Sequence, residues 1–419
     1  MRNQGSYTGG RPVYVVDGLR TPCLKARDKA GPFSAADLAV GAGKALLARQ
    51  PFAPAELDEV ILGCIIPGPK EANIARIVAL RLGCGNTVPA WTVQRNCGSG
   101  MQAIDSAAQA IAYGRADLVL AGGTEAMSHA PVLLPPMTVE LLGAWLRAKS
   151  LGERLQLLGR LRGRHFRPVF SLLEGLTDHI VNLSMGQTAE ILARRFAISR
   201  ERMDAFAAQS HQRLAQAQSE GRLTEITPLY APDGRVYAQD DGVRADTSVE
   251  KLAQLKPAFD RPYGLVTAGN SAQVSDGAAL LLLASAEAVE RHGLKVLGRI
   301  TDCAWAGVEP SQMGLGPVHA MAPLLKRQGL TVDTIDAWEI NEAFAAQVLA
   351  CLEAWQSAAY CRSELGLEQP FAPIPLERLN VDGGAVAVGH PVGTSGARIV
   401  LHLLDVLRRN GARRGAVSY

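Results

Sequence analysis

Cys97, Asn341 and His390 are the side chains of this sequence best placed to do chemistry, each in a turn-like setting rich in small residues. Cys97 lies in Gln94-Arg95-Asn96-Cys97-Gly98-Ser99-Gly100-Met101. Before it, Pro89–Val93 reads as a short buried strand; after it, Met101, Ile104, Ala108 and Ile111 recur at helical spacing. The pattern places Cys97 at a sharp strand-to-helix turn, at the first residue of a helix, where the partial positive charge favours thiolate over thiol. The two glycines let another backbone or a substrate come close. A nucleophilic cysteine is built in this way, although a lone cysteine is more often buried and inert. Its company decides. Asn341-Glu342-Ala343-Phe344 follows the strand-like Ala337–Ile340, and His390 sits in Gly383-Gly384-Ala385-Val386-Ala387-Val388-Gly389-His390-Pro391-Val392-Gly393. Taken singly, Asn341 reads equally as a helix cap and His390 as a structural turn residue, and the loop lacks the lysine and spacing of a P-loop.

The elements that must carry these residues alternate. In 11–130, strands over Val13–Val16 and Val60–Ile66, a helix over Ser34–Arg49 capped by Ser34, the Cys97 unit and an apolar strand over Asp117–Ala121, ended by Gly122-Gly123, predict a mostly parallel sheet covered by helices. Residues 131–250 open on a proline-rich stretch and hold helical patterns, notably Gln187–Phe196 and Arg200–Glu220, and read as an inserted, mainly helical loop domain. The first half resumes over 251–292, with Ala278–Leu283 as a buried strand. Residues 297–419 repeat the first order: strand Gly298–Cys303, helix Val318–Arg327, strand Ala337–Ile340, helix Glu342–Trp355, helix Gly396–Arg408, strand Gly415–Ser418. The expected architecture is α/β with two similar halves.

Bulk composition agrees. The chain has 419 residues, 47% hydrophobic and 20% charged, which suits two or three well-cored domains. Five per cent aromatics and 42 glycines favour closely packed α/β layers. A net charge of +3 is too mild for nucleic acid and compatible with an anionic substrate. Seven cysteines without a Cys-x-x-Cys pair predict no zinc or redox framework, and their odd number in a long chain predicts a reducing compartment, cytoplasmic with an organelle matrix left open. The N-terminus is polar and lacks an apolar signal core. The longest apolar run, Ala278–Ala284, is too short to span a bilayer.

Together, the Cys97, Asn341 and His390 motifs resemble the thiolase family, which cleaves or forms 3-ketoacyl-CoA. Asp17-Gly18-Leu19-Arg20-Thr21-Pro22, Ser184-Met185-Gly186-Gln187-Thr188-Ala189-Glu190 and Thr267–Gly277 extend the likeness from Val13 to Tyr419. The resemblance implies a thiolase fold, two α/β halves layered αβαβα with an inserted loop domain. It implies Cys97 as the acylated nucleophile, His390 as base and oxyanion donor, and Asn341 as anchor of an oxyanion-hole water. Met185, Arg244, Ser271, Phe344 and Gly389 match positions contacting the substrate or CoA. CoA enters as substrate, with no cofactor and no metal. The expected partners are acyl-CoA and CoA, and a second copy or three more in a homodimer or homotetramer.

The likeness has departures. Ala272 stands where the family has a small polar residue. The family's second cysteine, in a Cys-x-Gly motif, would begin where the sequence reaches Tyr419, so either the chain is truncated or that acid/base is lacking; a catalytically impaired lipid-CoA-binding or scaffold subunit is the alternative reading. Residues 137–180 interleave leucines with seven lysines and arginines, similar to the longer loop of the thiolase subunit in β-oxidation complexes. This predicts a peripheral membrane contact or docking of a hydratase/dehydrogenase partner subunit, against the alternative of a solvated hairpin.

Overall fold

The computed structural model describes residues 10–419; the polar stretch 1–9, read above as lacking a signal core, lies outside it. The first half opens with β1 (Val13–Arg20) and α1 (Ala35–Leu47). Ser34 caps α1 in a full capping box: its hydroxyl accepts from Asp37, whose carboxylate accepts in return from the Ser34 N–H. There follow β2 (Glu59–Gly63), α2 (Ile74–Arg81), β3 (Ala90–Val93), α3 (Ser99–Ala112) and β4 (Leu118–Ala126). The middle stretch supplies α4 (Pro136–Arg147), α5 (Leu151–Leu158), α6 (Met185–Arg195) and α7 (Arg200–Ser219). Then come β5 (Ser275–Ala284), β6 (Gly298–Ile300), α8 (Gly316–Gln328), β7 (Ala337–Ile340), α9 (Ala345–Gln356), α10 (Ser395–Arg409) and β8 (Gly415–Ser418).

A seven-stranded sheet runs β6-β1-β5-β4-β2-β3, with the two-residue strand Leu24–Lys25 added at one end of β5. All ten residues of β5 are buried, the mark of a strand covered on both faces. The sheet is mixed rather than mostly parallel. β5 is antiparallel to β1 and β4, and β6 to β1; only β2–β3 and β2–β4 are parallel. Strand–helix alternation gives the order of elements but not the direction of a strand that returns after the long helical excursion. Three further expectations are corrected. β4 does not stop at Gly122-Gly123 but continues to Ala126 in an unbroken ladder; the glycine at 123 allows close approach, since a side chain there would strike the Gly393 carbonyl. β3 is a half-buried edge, not a buried strand. Gly298–Ile300 is shorter than predicted and joins the first sheet beside β1 instead of the second half.

β7 and β8 pair in parallel with the predicted bounds, Ala337 opposite Gly415 and Ile340 opposite Ser418. Five layers result. α1 and α2 cover the outer face of the large sheet with Leu38, Leu46, Ile74 and Val78. α3 and α10 pack together between that sheet and the β7–β8 pair. α8 and α9 close the far side around Trp338 and Ile340. α6 and α7, from the middle stretch, pack on α9. Charge is also buried: Arg20 lies between Glu225 and Asp240, at 3.1 and 2.7 Å. Among the described residues no helix is long and apolar enough to cross a membrane, and no group of three or more His, Cys, Asp or Glu is disposed to hold a metal ion.

Candidate active site

The chain turns sharply between β3 and α3. Asn96 takes a left-handed conformation, φ 44°, which asparagine tolerates better than most side chains. Ser99 locks the turn: its hydroxyl donates to the Asn96 carbonyl at 2.5 Å and accepts the Arg95 N–H at 2.8 Å. Gly98 is the N-cap and Ser99 the first helical residue, so Cys97 precedes the helix rather than opening it. The thiolate expected from a helix start is not favoured either. Burial pushes the Cys97 thiol up, and the neighbouring Tyr419 phenol only partly offsets it. The resting sulfur is a thiol.

The histidine of this corner comes from the other half of the chain. Gly389 has φ 105° and lies so close to Ser275 that no side chain fits, which lets the loop present His390. The His390 N–H bonds to the Gln273 carbonyl at 3.0 Å. Nδ1 lies 2.7 Å from Ser395 Oγ and Nε2 lies 2.7 Å from Tyr419 Oη. Burial, with some help from Arg398, lowers the imidazole to about 3, so it is neutral at physiological pH. The Tyr419 hydroxyl lies 2.7 Å from His390 Nε2, and the same phenol neighbours the Cys97 thiol closely enough for each to shift the other's ionisation. One phenol thus lies between the sulfur and the imidazole.

Small residues make this meeting possible. A Cβ at Gly100 would lie 2.8 Å from the Gly393 carbonyl, and one at Gly396 would lie 2.7 Å from the Met101 nitrogen, so the starts of α3 and α10 dock backbone to backbone. Glu125 fastens the same corner. Its buried carboxylate accepts the N–H groups of Ile65, Ile66 and Gly393 at 2.9, 3.0 and 3.1 Å.

Asn341 directly follows β7 and donates its main-chain N–H to the Ser418 carbonyl at 3.0 Å, which sets it beside Tyr419. Its side-chain oxygen and nitrogen are both buried with no hydrogen-bond partner among the described residues. A plain helix cap would spend its oxygen on a helix N–H; this one does not. Ser271 and Phe344 pair in an isolated antiparallel bridge outside the strands, and Ser271 Oγ donates to the Thr267 carbonyl at 2.6 Å. The Phe344 ring meets Phe259 edge-on at 5.8 Å. Met185 begins α6 and packs against the second-half core. Arg244 is exposed. Its loop is nevertheless close to the histidine: Gly242 accepts from the Gln273 amide at 2.8 Å, and Gln273 holds the His390 N–H.

Two family patterns divide the chain: "Thiolase, N-terminal domain" matches residues 13–287 and "Thiolase, C-terminal domain" residues 294–419. The chain belongs to the thiolase family. It is an acyltransferase, and CoA is a substrate of such enzymes. Among its relatives is "Beta-ketoadipyl-CoA thiolase" of Pseudomonas aeruginosa, 40% identical over 414 residues, covering 97% of this chain and 96% of the relative. Another is "Trifunctional enzyme subunit beta, mitochondrial" of Homo sapiens, 36% identical over 409 residues, covering 97% and 85%. The crystal structure of human mitochondrial 3-ketoacyl-CoA thiolase in complex with CoA superposes with a TM-score of 0.81 at 36% identity, covering 97% of this chain and 94% of that one.

Reading the sequence did not single out three side chains at the centre of this thiolase site. Glu125 carried a signal, a carboxylate inside an otherwise apolar and small-residue strand. Ser395 had a weaker one, a hydroxyl five positions after the histidine and at the start of a helix. Tyr419 had none, since the strand pattern Gly415–Ser418 does not say where the next side chain points.

Proposed function

We propose that the chain catalyses thiolysis of a 3-ketoacyl-CoA by CoA, giving acetyl-CoA and a shortened acyl-CoA, and the reverse condensation, through an acyl group held on Cys97. The observation that carries this reading is the Tyr419 hydroxyl, 2.7 Å from His390 Nε2 and beside the Cys97 thiol. The proton leaves the sulfur for Nε2 through that phenol. The sulfur attacks the 3-keto carbon, the bond between C2 and C3 breaks, and acetyl-CoA departs as its enolate. The relay returns the proton to the enolate carbon. CoA then attacks the Cys97 thioester, and its thiol proton restores the cysteine. Asn341, with donor and acceptor both free and buried, anchors the water or carbonyl oxygen where negative charge develops. Met185, Phe344, Ser271 and Gly389 form the acyl and pantetheine side, and exposed Arg244 meets the CoA phosphates.

The seven cysteines are all free, which supports a reducing, cytoplasmic location. A homodimer is supported by β3, which ends the large sheet with no strand among the described residues on its outer side and leaves Trp91 38% exposed. Residues 137–180 contact anionic lipid. Leu142 and Leu146 on α4, and Leu151, Leu155 and Leu158 on α5, are exposed at helical spacing, with Arg147, Lys149 and Arg154 beside them. The relative named as a "subunit beta" favours a second reading, docking of a partner subunit. To test the core proposal, the protein is incubated with acetyl-CoA and its peptides are mapped by mass. We expect acetylation of Cys97; label on Cys64, Cys84 or Cys303 with none on Cys97 refutes it.

A further inference from the structure

Ser395 occupies an unusual position for a helix-opening serine. It is fully buried, and its hydroxyl touches two groups, His390 Nδ1 at 2.7 Å and the Pro391 carbonyl at 3.1 Å. The hydroxyl has one proton to give and lone pairs to accept with. Pro391 offers only an acceptor. If the hydroxyl donated to Nδ1, its oxygen and the Pro391 oxygen would face each other without a proton between them. If it donates to Pro391, it accepts Nδ1–H, and both contacts are hydrogen bonds. A neutral imidazole carries its proton on one nitrogen, so Nδ1–H leaves a lone pair on Nε2. That is the nitrogen beside the Tyr419 hydroxyl, whose phenol neighbours Cys97.

We infer that Ser395 is a positioning residue that fixes the tautomer of His390, holding the proton on Nδ1 and the lone pair on the nitrogen that faces the cysteine. The inference rests on the reading of His390 as the base. The backbone supports the geometry independently of the ring. The Ser395 N–H also bonds the Pro391 carbonyl, at 3.0 Å, and Thr394 Oγ1 donates to the Gly277 carbonyl at 2.7 Å. The hydroxyl therefore sits on a helix start anchored to β5, and Gly396 beside it is pressed against Met101. No step of acyl transfer uses the hydroxyl on the reacting atoms. As His390 takes up the proton and becomes an imidazolium, Ser395 keeps accepting from Nδ1–H and nothing needs to reorient.

The test separates tautomer from rate. Protein with 15N-labelled histidine is compared as wild type, Ser395→Ala and Ser395→Thr, with the His390 signals assigned through His390→Gln. Long-range 1H–15N correlation reports which ring nitrogen bears the proton in the resting enzyme. We expect Nδ1–H in the wild type and in Ser395→Thr, a shift toward Nε2–H in Ser395→Ala, and acylation by acetyl-CoA slowed about 10²-fold in the alanine variant alone, with KM little changed. Nδ1–H and wild-type acylation retained in Ser395→Ala would overturn the inference. A switched tautomer with an unchanged rate would uphold it and refute His390 as base. Should the alanine variant not fold, Ser395→Cys, with its poorer acceptor, is read in the same way.

Discussion

A buried imidazole and a buried thiol divide the labour differently from an ionised cysteine at a helix start. Because burial keeps His390 neutral down to about pH 3, the acylation rate should show no inflection near 6.5, the ordinary value for histidine. A pH series of kcat/KM for acylation checks this; a fall centred on 6.5 would mean that the imidazole titrates freely. On the roles proposed for them, removing His390 should cost more than removing Asn341. His390→Ala deletes the proton acceptor and one donor, while Asn341→Ala deletes one anchoring amide and should slow acylation on the order of 10²–10³-fold. Single-turnover rates compare the two, and wild-type acylation by His390→Ala would refute its assignment. Tyr419→Phe keeps the ring and removes the hydroxyl that lies between His390 Nε2 and Cys97; acylation should drop by at least about tenfold, at the low end for a positioned acid/base.

At the scale of elements, the site exists because α3 and α10 start against each other with no side chains in the way. Gly396→Ala places a methyl against the Met101 backbone. It should destabilise the protein by about 1–3 kcal/mol, as overpacked positions do, and slow acylation by shifting the Cys97 turn. Urea unfolding measures the first and acyl-enzyme formation the second. Much of this scaffold was legible. Ser34, the periodicity of Arg200–Ser219 and the bounds of Ala337–Ile340 and Gly415–Ser418 carry local signals that survive in the fold. What was not legible depends on pairing. The direction of β5 and the defection of Gly298–Ile300 to the first sheet are set by which edge is free, which no local pattern encodes. Cys97 and His390 stood out by their neighbours, and the resemblance joined them. The groups between and behind them, Tyr419 and Ser395, are visible only once the two halves meet. The depression of Asn341 into a buried site without partners was equally out of reach, because Asn after a strand is locally indistinguishable from a cap.

At the scale of the molecule, buried histidines tune stability in opposite directions. His390 and His211 are held down, to about 3 and about 4, chiefly by burial, so the unfolded chain binds more protons than the folded one below 6.5, and stability falls as the pH drops toward those values. His402 behaves oppositely. Burial disfavours its charge, but Glu225 and Asp382, at 3.1 and 3.3 Å, outweigh it and raise the group to about 10. Its contribution is whole below 6.5 and is lost as pH rises through about 10. Thermal melts should therefore show His402→Gln losing stability at neutral pH and less of the alkaline decline; an unchanged alkaline decline would contradict the pairing. The order of strands has a consequence in time as well as in space. β5 lies between β1 and β4, yet about 150 residues separate the end of β4 from its start. At 5–20 residues per second a ribosome needs roughly 7–30 s to make them. For that interval the nascent chain holds β1 and β4 without the strand that joins them, with Leu118, Leu120 and Val119 on an open edge. A cell making this protein must shelter that edge, and a pulling-force profile along translation should show its main event only after residue 284 has left the exit tunnel.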